Sequence, residues 1–314
     1  MNNIRPVWID TDTGVDDAFA LVSALRLPNI DVVGISTVAG NVEVEKTFKN
    51  ARNVISLCQR EDIKVYKGAD KPLIVPLHTA YAVHGEDGLG GVVIPKSKAD
   101  IEKENAYDAL YKKAKELNGE LVVCAVGPLT NIAITIFKYP DFVNYVKEIV
   151  IMGGSIGVGG NTTIAAEFNI YVDPHAAQTV FKSGLKITLF PLDVTMKTVL
   201  TRDELESLKD VDNDVARFCY TSSNAPTSLY KHLGLGDLMC LHDTCPLVYL
   251  NSPELFFGKE AGVYVETLSE ISLGRTVSDL YVHRDELFDT NAMVMLDVKR
   301  DEVAKIVIDT FKAY

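Results

Sequence analysis

Short apolar segments alternate with longer amphipathic segments along most of the chain. Some apolar segments, such as 121–127, are nearly continuous, which is typical of strands that are buried on both faces. The predicted strands cover 6–10, 31–37, 63–68, 121–127, 148–154, 186–193, 262–267 and 292–298. The predicted helices cover 16–27, 42–60, 100–117, 129–138, 173–183, 202–209, 212–232, 243–251 and 300–312.

The alternation of strands and helices predicts an α/β fold with one mostly parallel central sheet flanked by helices. Because no internal repeat, low-complexity tract or long linker divides the sequence, we expect a single domain over residues 1–314. In open α/β sheets, ligands bind beyond the carboxyl ends of the strands. The polar residues that directly follow the predicted strands are therefore the candidates for a functional site.

Charge and composition narrow the class of partner. The net charge of -12 disfavours binding to a nucleic-acid polymer, whose phosphates the protein would repel. The five cysteines show no CxxC spacing, which favours reduced thiols over a disulfide framework or a zinc cluster. The sequence shows neither a signal peptide nor an apolar run long enough to span a membrane. We therefore expect a cytoplasmic protein with a small-molecule ligand.

The first predicted strand leads into the acidic segment 10–17, DTDTGVDD. Asp16 and Asp17 begin a predicted helix, where negative charge is favourable, but capping a helix requires only one carboxylate. Clustered carboxylates repel one another, and they are the ligands that a hard cation such as Ca²⁺ or Mg²⁺ prefers. An EF-hand does not fit, because Val15 would occupy its glycine position and Leu21 its glutamate position.

The segment 10–21, DTDTGVDDAFAL, resembles the signature DxDPGxDD of the inosine–uridine-preferring nucleoside hydrolase family, with Thr13 in place of the proline. The similarity is greatest to bacterial ribonucleoside hydrolases that accept both purines and pyrimidines. Further segments that resemble this family lie at 37–41, 84–91, 126–133, 151–177, 191–195 and 239–250.

The resemblance implies a Rossmann-like nucleoside hydrolase fold and calcium-dependent hydrolysis of the N-glycosidic bond of ribonucleosides. Calcium would be held by Asp12, Asp17, the carbonyl of Val126, and Asp243. Asp12 would also act as the general base toward the attacking water. The family further implies a homodimer or a homotetramer.

The resemblance also assigns residues to the sugar. The residues implied to bind the 2′- and 3′-hydroxyls are Asp16, Asn41, Asn169 and Asp243. Asn161 and Glu167 would bind the 5′-hydroxyl and the ring-oxygen side, and Met152 would line the ribose pocket. Carboxylate and amide oxygens in these positions would stabilise the positive charge of an oxocarbenium-like transition state.

The implied base-side residues are His84, Tyr230 and His242. His84 would shape the base pocket, and His242 would be the acid for the leaving base. Tyr230 lies in the segment 224–238, which we expect to be mobile and able to close over the substrate. The histidines to which we assign no functional role are His78, His175, His232 and His283.

Two alternatives remain open at this point. A haloacid-dehalogenase-type phosphatase would use Asp10 as nucleophile and Asp12 as acid and base, but the late segment 241–243 lacks its paired acids. A non-catalytic, calcium-dependent nucleoside-binding protein would keep the ligands and lose Asp12 or the acid, yet both Asp12 and His242 are present. The sequence does not rank the bases.

Overall fold

The computed structural model describes residues 4–280 and 289–314, so His283 lies outside the described residues. The strands are β1 Arg5–Thr11, β2 Ile30–Thr37, β3 Val65–Lys67, β4 Leu121–Ala125, β5 Val146–Met152, β6 Ile187–Phe190, β7 Val199–Thr201, β8 Leu238–Cys240, β9 Phe256–Ala261, β10 Val263–Val265, β11 Thr276–Ser278 and β12 Ala292–Val298. The α-helices are α1 Val15–Ala24, α2 Val44–Leu57, α3 Tyr81–His84, α4 Ala106–Leu117, α5 Thr130–Lys138, α6 Phe168–Val172, α7 Pro174–Phe181, α8 Leu192–Thr195, α9 Arg202–Glu206, α10 Asp214–Ser222, α11 Asn224–His232, α12 Thr244–Asn251 and α13 Arg300–Lys312. Two short 3₁₀ helices cover Pro140–Asn144 and Pro253–Leu255.

The central sheet has the strand order β3-β2-β1-β4-β5-β6-β12-β9 in the described part of the chain. Its strands pair in parallel from β3 to β12, and the edge strand β9 pairs antiparallel with β12. The predicted α/β fold with a mostly parallel central sheet is therefore confirmed. No helix in the described ranges combines the length and apolar composition of a membrane span.

Two apolar layers cover the two faces of this sheet. Alternate residues of β1 enter different layers: Val7 and Ile9 pack with α1, α2 and α13, whereas Trp8 packs with α4, α5 and α7. Because both faces are covered, the inner strands are apolar at nearly every position. Burying each large side chain contributes about 1.5–3 kcal/mol, which anchors the strand ends that carry the polar residues.

The direction of strand addition reverses between β1 and β4, because β2 lies on one side of β1 and β4 on the other. Asp10 of β1 is in register with Ala125 of β4, and the Val126 N–H donates to the Asp10 carbonyl over 2.8 Å. The chain segments that follow the two strands therefore lie side by side. Such a reversal opens a crevice beyond the carboxyl ends of the strands, where ligands bind.

The predicted helix 212–232 is wrong as a single element, because the structure divides it into α10 and α11 at Ser223. Pro226 has no N–H to donate to the carbonyl of Ser222, so the helical hydrogen-bond ladder is interrupted at this point. The predicted helix 100–117 begins only at Ala106, after an extended residue at position 105.

The predicted strand 262–267 forms β10, but β10 pairs with β11 outside the central sheet. The edge position is occupied instead by β9, for which we predicted no strand. The four middle residues of β9 are exposed, so this strand lacks the continuous apolar pattern by which the inner strands were recognised.

Candidate active site

A cavity of about 670 Å³ lies beyond the carboxyl ends of β1, β4 and β5. The predicted site residues that line it are Asp12, Asp16, Asn41, His84, Val126, Met152, Asn161, Glu167, Asn169, Tyr230, His242 and Asp243. Asp17 is fully buried and does not itself line the cavity. Residues that are far apart in the sequence thus surround one space of nucleoside size.

We use the name acidic floor for Asp12, Asp16 and Asp243, which line the cavity, together with the fully buried Asp17 beside them. Carboxylate oxygens of Asp16, Asp17 and Asp243 lie within 4.8 Å of one another. Burial, followed by the charge of Asp16, raises the pKa of Asp17 to about 6. Burial and the neighbouring aspartates raise the pKa of Asp243 well above its usual range. Four ionised carboxylates at this place therefore require a compensating positive charge.

Asp17 is held by neighbours on three sides. Its carboxylate accepts hydrogen bonds from the Thr11 hydroxyl (2.5 Å), the Gly14 N–H (2.8 Å) and the Asn41 side-chain amide (2.9 Å). These donors favour the ionised form and fix the carboxylate in orientation. A carboxylate that is fixed in this way is suited to act as a metal ligand together with Asp16 and Asp243.

Asp12 combines a fixed oxygen with a free one. Its Oδ2 accepts a hydrogen bond from the Asn41 N–H over 2.7 Å, whereas its Oδ1 is buried without a partner among the described residues. Burial, followed by the charge of Asp17, raises the pKa of Asp12 well above its usual range. A Cβ at Gly40 would lie 2.1 Å from this carboxylate, so only glycine fits beside it.

The donor set of the floor fits a hard divalent cation. Buried Oδ1 atoms of Asp12 and Asp16 lack a hydrogen-bond partner in the described part of the chain, and every candidate ligand atom is an oxygen. The Val126 carbonyl, which we predicted as a ligand, accepts a hydrogen bond from the Asn169 side-chain amide over 2.8 Å. The geometry adds Asp16 to this candidate metal centre, whereas the sequence assigned Asp16 only to the substrate.

The ribose wall is formed by Asn161, Glu167 and Asn169 around the start of α6. The Glu167 carboxylate accepts the N–H groups of Gly154 and Asn169, both over 2.9 Å, and that of Ile170 over 3.2 Å. Burial raises the pKa of Glu167 to about 7. Asn161 accepts the Phe168 N–H over 2.9 Å. These bonds tie the loop after β5 to α6.

The base wall consists of Tyr230 and His242, with Pro226, Leu229 and Leu233 of the α11 region. The Tyr230 hydroxyl lies 3.0 Å from Nε2 of His242. Burial lowers the pKa of His242 and raises that of Tyr230 well above its usual range, so both groups are neutral at neutral pH. A neutral phenol beside an imidazole can donate a proton to a leaving group.

His84 borders the floor and the base wall. Its Nδ1 accepts the Val15 N–H over 3.1 Å, so the imidazole proton is on Nε2. Burial lowers the pKa of His84 to about 4. An added Cβ at Gly14 would lie 2.6 Å from the same Nδ1, which explains the glycine at this turn. His84 is thus a fixed, neutral part of the cavity.

His78 and Thr195 are among the residues at the site that were not predicted. His78, to which we assigned no role, lines the cavity and packs edge-on against Tyr171, with ring centroids 5.6 Å apart. Thr195 contacts His242 from behind, with its hydroxyl 2.8 Å from Nδ1. The segment 191–195 was recognised as family-like, and that similarity was the one available signal for Thr195.

The comparisons with known proteins agree with this architecture. The chain belongs to the inosine-uridine preferring nucleoside hydrolase family, whose family model matches residues 7–305. It is therefore an N-ribohydrolase, an enzyme that hydrolyses N-glycosyl bonds. This family membership favours neither the phosphatase nor the non-catalytic alternative.

One relative is the pyrimidine-specific ribonucleoside hydrolase RihA of Shewanella sp. (strain MR-7), with 37% identity over 99% of this chain and 97% of that protein. The plant nucleoside hydrolase PpNRh1 has a similar structure, with a TM-score of 0.93, 32% identity and 99% of each chain covered. The purine-preferring ribonucleoside hydrolase of Gardnerella vaginalis gives a TM-score of 0.91 at 29% identity, with 98% of each chain covered.

Proposed function

We propose that this chain hydrolyses the N-glycosidic bond of ribonucleosides in a calcium-dependent reaction, and that it accepts both pyrimidine and purine nucleosides. The observation that carries the proposal is that one cavity is lined both by carboxylates of the acidic floor and by the hydrogen-bonded pair Tyr230 and His242. A nucleoside needs both features, because the sugar carbon must be attacked while the base is protonated.

The residues that would hold calcium are Asp12, Asp17, the Val126 carbonyl, and Asp243, with Asp16 beside them. Carboxylates combined with a backbone carbonyl suit the flexible, oxygen-rich coordination of Ca²⁺ better than the strict octahedron of Mg²⁺. When bound, the cation supplies Lewis acidity, which makes a water molecule easier to deprotonate.

Asp12 acts as the general base in this mechanism. Its partner-free Oδ1 is available to take a proton from the attacking water, while the Asn41 N–H holds the other oxygen. A positioned general base typically contributes about 10²–10⁴-fold to the rate.

The ribose lies between the floor and the ribose wall. We assign the 2′- and 3′-hydroxyls to Asp16, Asn41, Asn169 and Asp243, and the 5′-hydroxyl and ring-oxygen side to Asn161 and Glu167, all of which line the cavity. As the base leaves, positive charge develops on the sugar ring. The oxygens of these preorganised groups stabilise that charge.

The resemblance to the family assigned the acid role to His242. Because Nε2 of His242 is bonded to the Tyr230 hydroxyl over 3.0 Å, we propose instead that Tyr230 donates the proton to the leaving base and that His242 supports it. The bond between the sugar carbon and the base breaks with its electron pair on the base, which takes the Tyr230 proton. Burial by itself raises the pKa of Tyr230 and disfavours the phenolate, so the transfer depends on the hydrogen bond that Nε2 of His242 donates to the phenol oxygen until Tyr230 regains a proton from solvent. This donor does not depend on the N7 atom of a purine, because a pyrimidine base accepts the proton on its own oxygen or nitrogen.

The substrate range is tested with four ribonucleosides: uridine, cytidine, inosine and adenosine. Uridine and cytidine come first, because the 37% identical relative is named pyrimidine-specific, whereas a structural neighbour is named purine-preferring. The measurement is the release of reducing sugar by purified, calcium-loaded protein, with the Asp12→Asn variant as the control. No release from any of the four, or release of phosphate from a nucleotide instead, would contradict the proposal.

The remaining expectations stay predictions: a single domain over 1–314, a homodimer or homotetramer, and a cytoplasmic location. Size-exclusion chromatography with light scattering measures the oligomeric state directly.

A further inference from the structure

The short helix α8 follows β6, and two of its side chains, Asp193 and Thr195, contact segments that surround the cavity. Asp193 accepts the N–H groups of Ile156 (2.8 Å) and Gly157 (2.7 Å), which lie in the loop after β5. Thr195, at the end of α8, is fully buried and contacts Nδ1 of His242 over 2.8 Å. Neither side chain is explained by the reaction as described so far.

The pairing of β7 with β8 brings Thr195 and His242 together. These strands run antiparallel just after α8 and just before His242, and the Leu241 N–H donates to the Thr198 carbonyl over 2.8 Å. The backbone pairing of these two strands therefore fixes the distance between the two side chains. Their contact holds the imidazole from the side opposite Tyr230, which bonds to Nε2.

The direction of the hydrogen bond follows from counting donors and acceptors. A buried hydroxyl that donates to nothing is unfavourable, so the Thr195 proton needs an acceptor. Nδ1 of His242 is the partner of this hydroxyl among the described residues. The Pro191 carbonyl, one turn back, already accepts the N–H groups of Val194 and Thr195, both over 3.1 Å. Thr195 therefore donates to Nδ1, which must carry a lone pair.

We propose that Thr195 is a positioning residue that holds His242 in the tautomer with its proton on Nε2. This inference rests on the proposed role of Tyr230 as the proton donor. With the proton on Nε2, His242 donates to the Tyr230 oxygen, so Tyr230 keeps its own proton for an acceptor other than His242. In the substrate-free cavity that acceptor is the Cys240 thiol, which a departing base replaces. The other tautomer would accept the Tyr230 proton and withdraw it from the base.

The test compares three variants of buried threonines. Thr195→Val keeps the shape and removes the hydroxyl, Thr195→Ser keeps the hydroxyl, and Thr198→Val is the matched control. Thr198 is also fully buried, but its hydroxyl donates to the Val194 carbonyl over 3.1 Å and does not contact His242. Thermal melting identifies any variant that fails to fold.

The first readout is the tautomer of His242, which does not depend on activity. In protein labelled with ¹⁵N at the histidine rings, the ring-nitrogen shifts are assigned by comparison with His242→Gln. We expect a protonated Nε2 and an unprotonated Nδ1 in the wild type, in Thr195→Ser and in Thr198→Val, and a changed tautomer ratio in Thr195→Val. A wild-type protein with its proton on Nδ1 would overturn the proposal.

The second readout is steady-state hydrolysis of uridine by the calcium-loaded enzyme. Thr195→Val is expected to lower kcat by about 10- to 100-fold with KM within about twofold, the usual size of an orienting contact behind a functional histidine. Thr195→Ser should restore kcat, and Thr198→Val should leave it unchanged. An unchanged kcat in Thr195→Val would refute the positioning role. Absence of turnover in the wild type would instead refute the proposed function, while the tautomer is still read from the spectra.

Discussion

The acidic floor and the base wall of the cavity are built differently. The floor carboxylates Asp12, Asp17 and Asp243 are at most 3% exposed. Asp12 directly follows β1, Asp17 lies in the first turn of α1, and Asp243 directly precedes α12. The base wall is formed largely by α11 and the segment after it, where Leu233 is 59% exposed and Leu235 is 47% exposed. The part of the cavity that faces the sugar is therefore fixed, whereas the part that faces the base borders solvent.

This difference predicts how strictly the floor selects the sugar and how strictly the base wall selects the base. Buried polar groups penalise a substrate that leaves them without partners, so the floor should be strict about the sugar. Apolar contacts of the base wall discriminate less between bases, because a small difference in a ligand that fills a hydrophobic pocket changes selectivity by only about 10- to 200-fold. We therefore expect strict ribose selectivity together with tolerance of the base.

The largest expected effect comes from removing the general base. Asp12→Asn keeps the size of the side chain but removes the proton acceptor and one negative charge, so kcat should fall by about 10³-fold or more. Calorimetric titration with Ca²⁺ separates loss of the metal from loss of the base. Near-normal kcat with calcium bound would move the base role to Asp16.

A missing sugar hydroxyl should have an effect of nearly the same size. We expect kcat/KM for 2′-deoxyuridine to be at least about 10³-fold below that for uridine, because the deoxy sugar leaves buried oxygens of the floor and Asn169 without a partner. A site that binds a substrate hydroxyl can discriminate by up to about 10⁵-fold against the analogue that lacks it. We expect a smaller factor here, since a water molecule can occupy the position of the missing hydroxyl. Comparable turnover of the two substrates would show that the floor does not bind the diol.

Changes in the base wall should have smaller effects, which depend on the base. Tyr230→Phe removes only the hydroxyl and should lower kcat for uridine and inosine by about 10²-fold. His242→Ala should slow both nucleosides, because it removes the group that supports Tyr230, and a larger loss for inosine would show that His242 also acts at the purine ring. Steady-state kinetics on both nucleosides measures the ratio. If both variants lost only a little kcat, and equally for uridine and inosine, Tyr230 and His242 would have only a packing role.

The smallest expected effect is on stability. Burial raises the pKa of Asp17 to about 6 and that of Glu167 to about 7, both above the values for an unfolded chain. At these two carboxyls the folded, metal-free protein binds more protons than the unfolded chain, so their contribution to stability falls as the pH rises from about 4 through 7. The buried, neutral His84 and His242 contribute in the opposite sense, but only below about pH 6.5, the usual pKa of histidine. Calcium, which binds the ionised floor of the folded protein, should raise Tm by several degrees at pH 7 and much less at pH 5.

Thermal melts in a chelator and in excess calcium, from pH 5 to pH 8, test this dependence. Glu167→Gln is the control, because it removes one titrating group that is not a proposed ligand. A metal-free Tm that rises between pH 5 and pH 7 would contradict the assignment of buried, cation-free carboxylates to the floor.

The acidic floor could be predicted from the sequence, whereas the base wall could not. The floor begins in one contiguous segment, 10–17, and the mutual repulsion of its carboxylates was visible without any structure. The base wall depends on the break between α10 and α11 and on the pairing of β7 with β8. Neither the break nor the pairing was predicted, because Pro226 lies within an otherwise helical pattern and the two strands are only three residues long.

The sequence by itself determined the α/β class, the strands that are buried on both faces, and the family, because these depend on local patterns and contiguous motifs. Only the tertiary structure decided which side chains act together. It placed Asp243 beside Asp16 and Asp17, bonded Tyr230 to His242, and seated Thr195 behind that imidazole. The physical reason is that burial and hydrogen-bond direction set the protonation of each group, and both arise only when distant segments pack against one another.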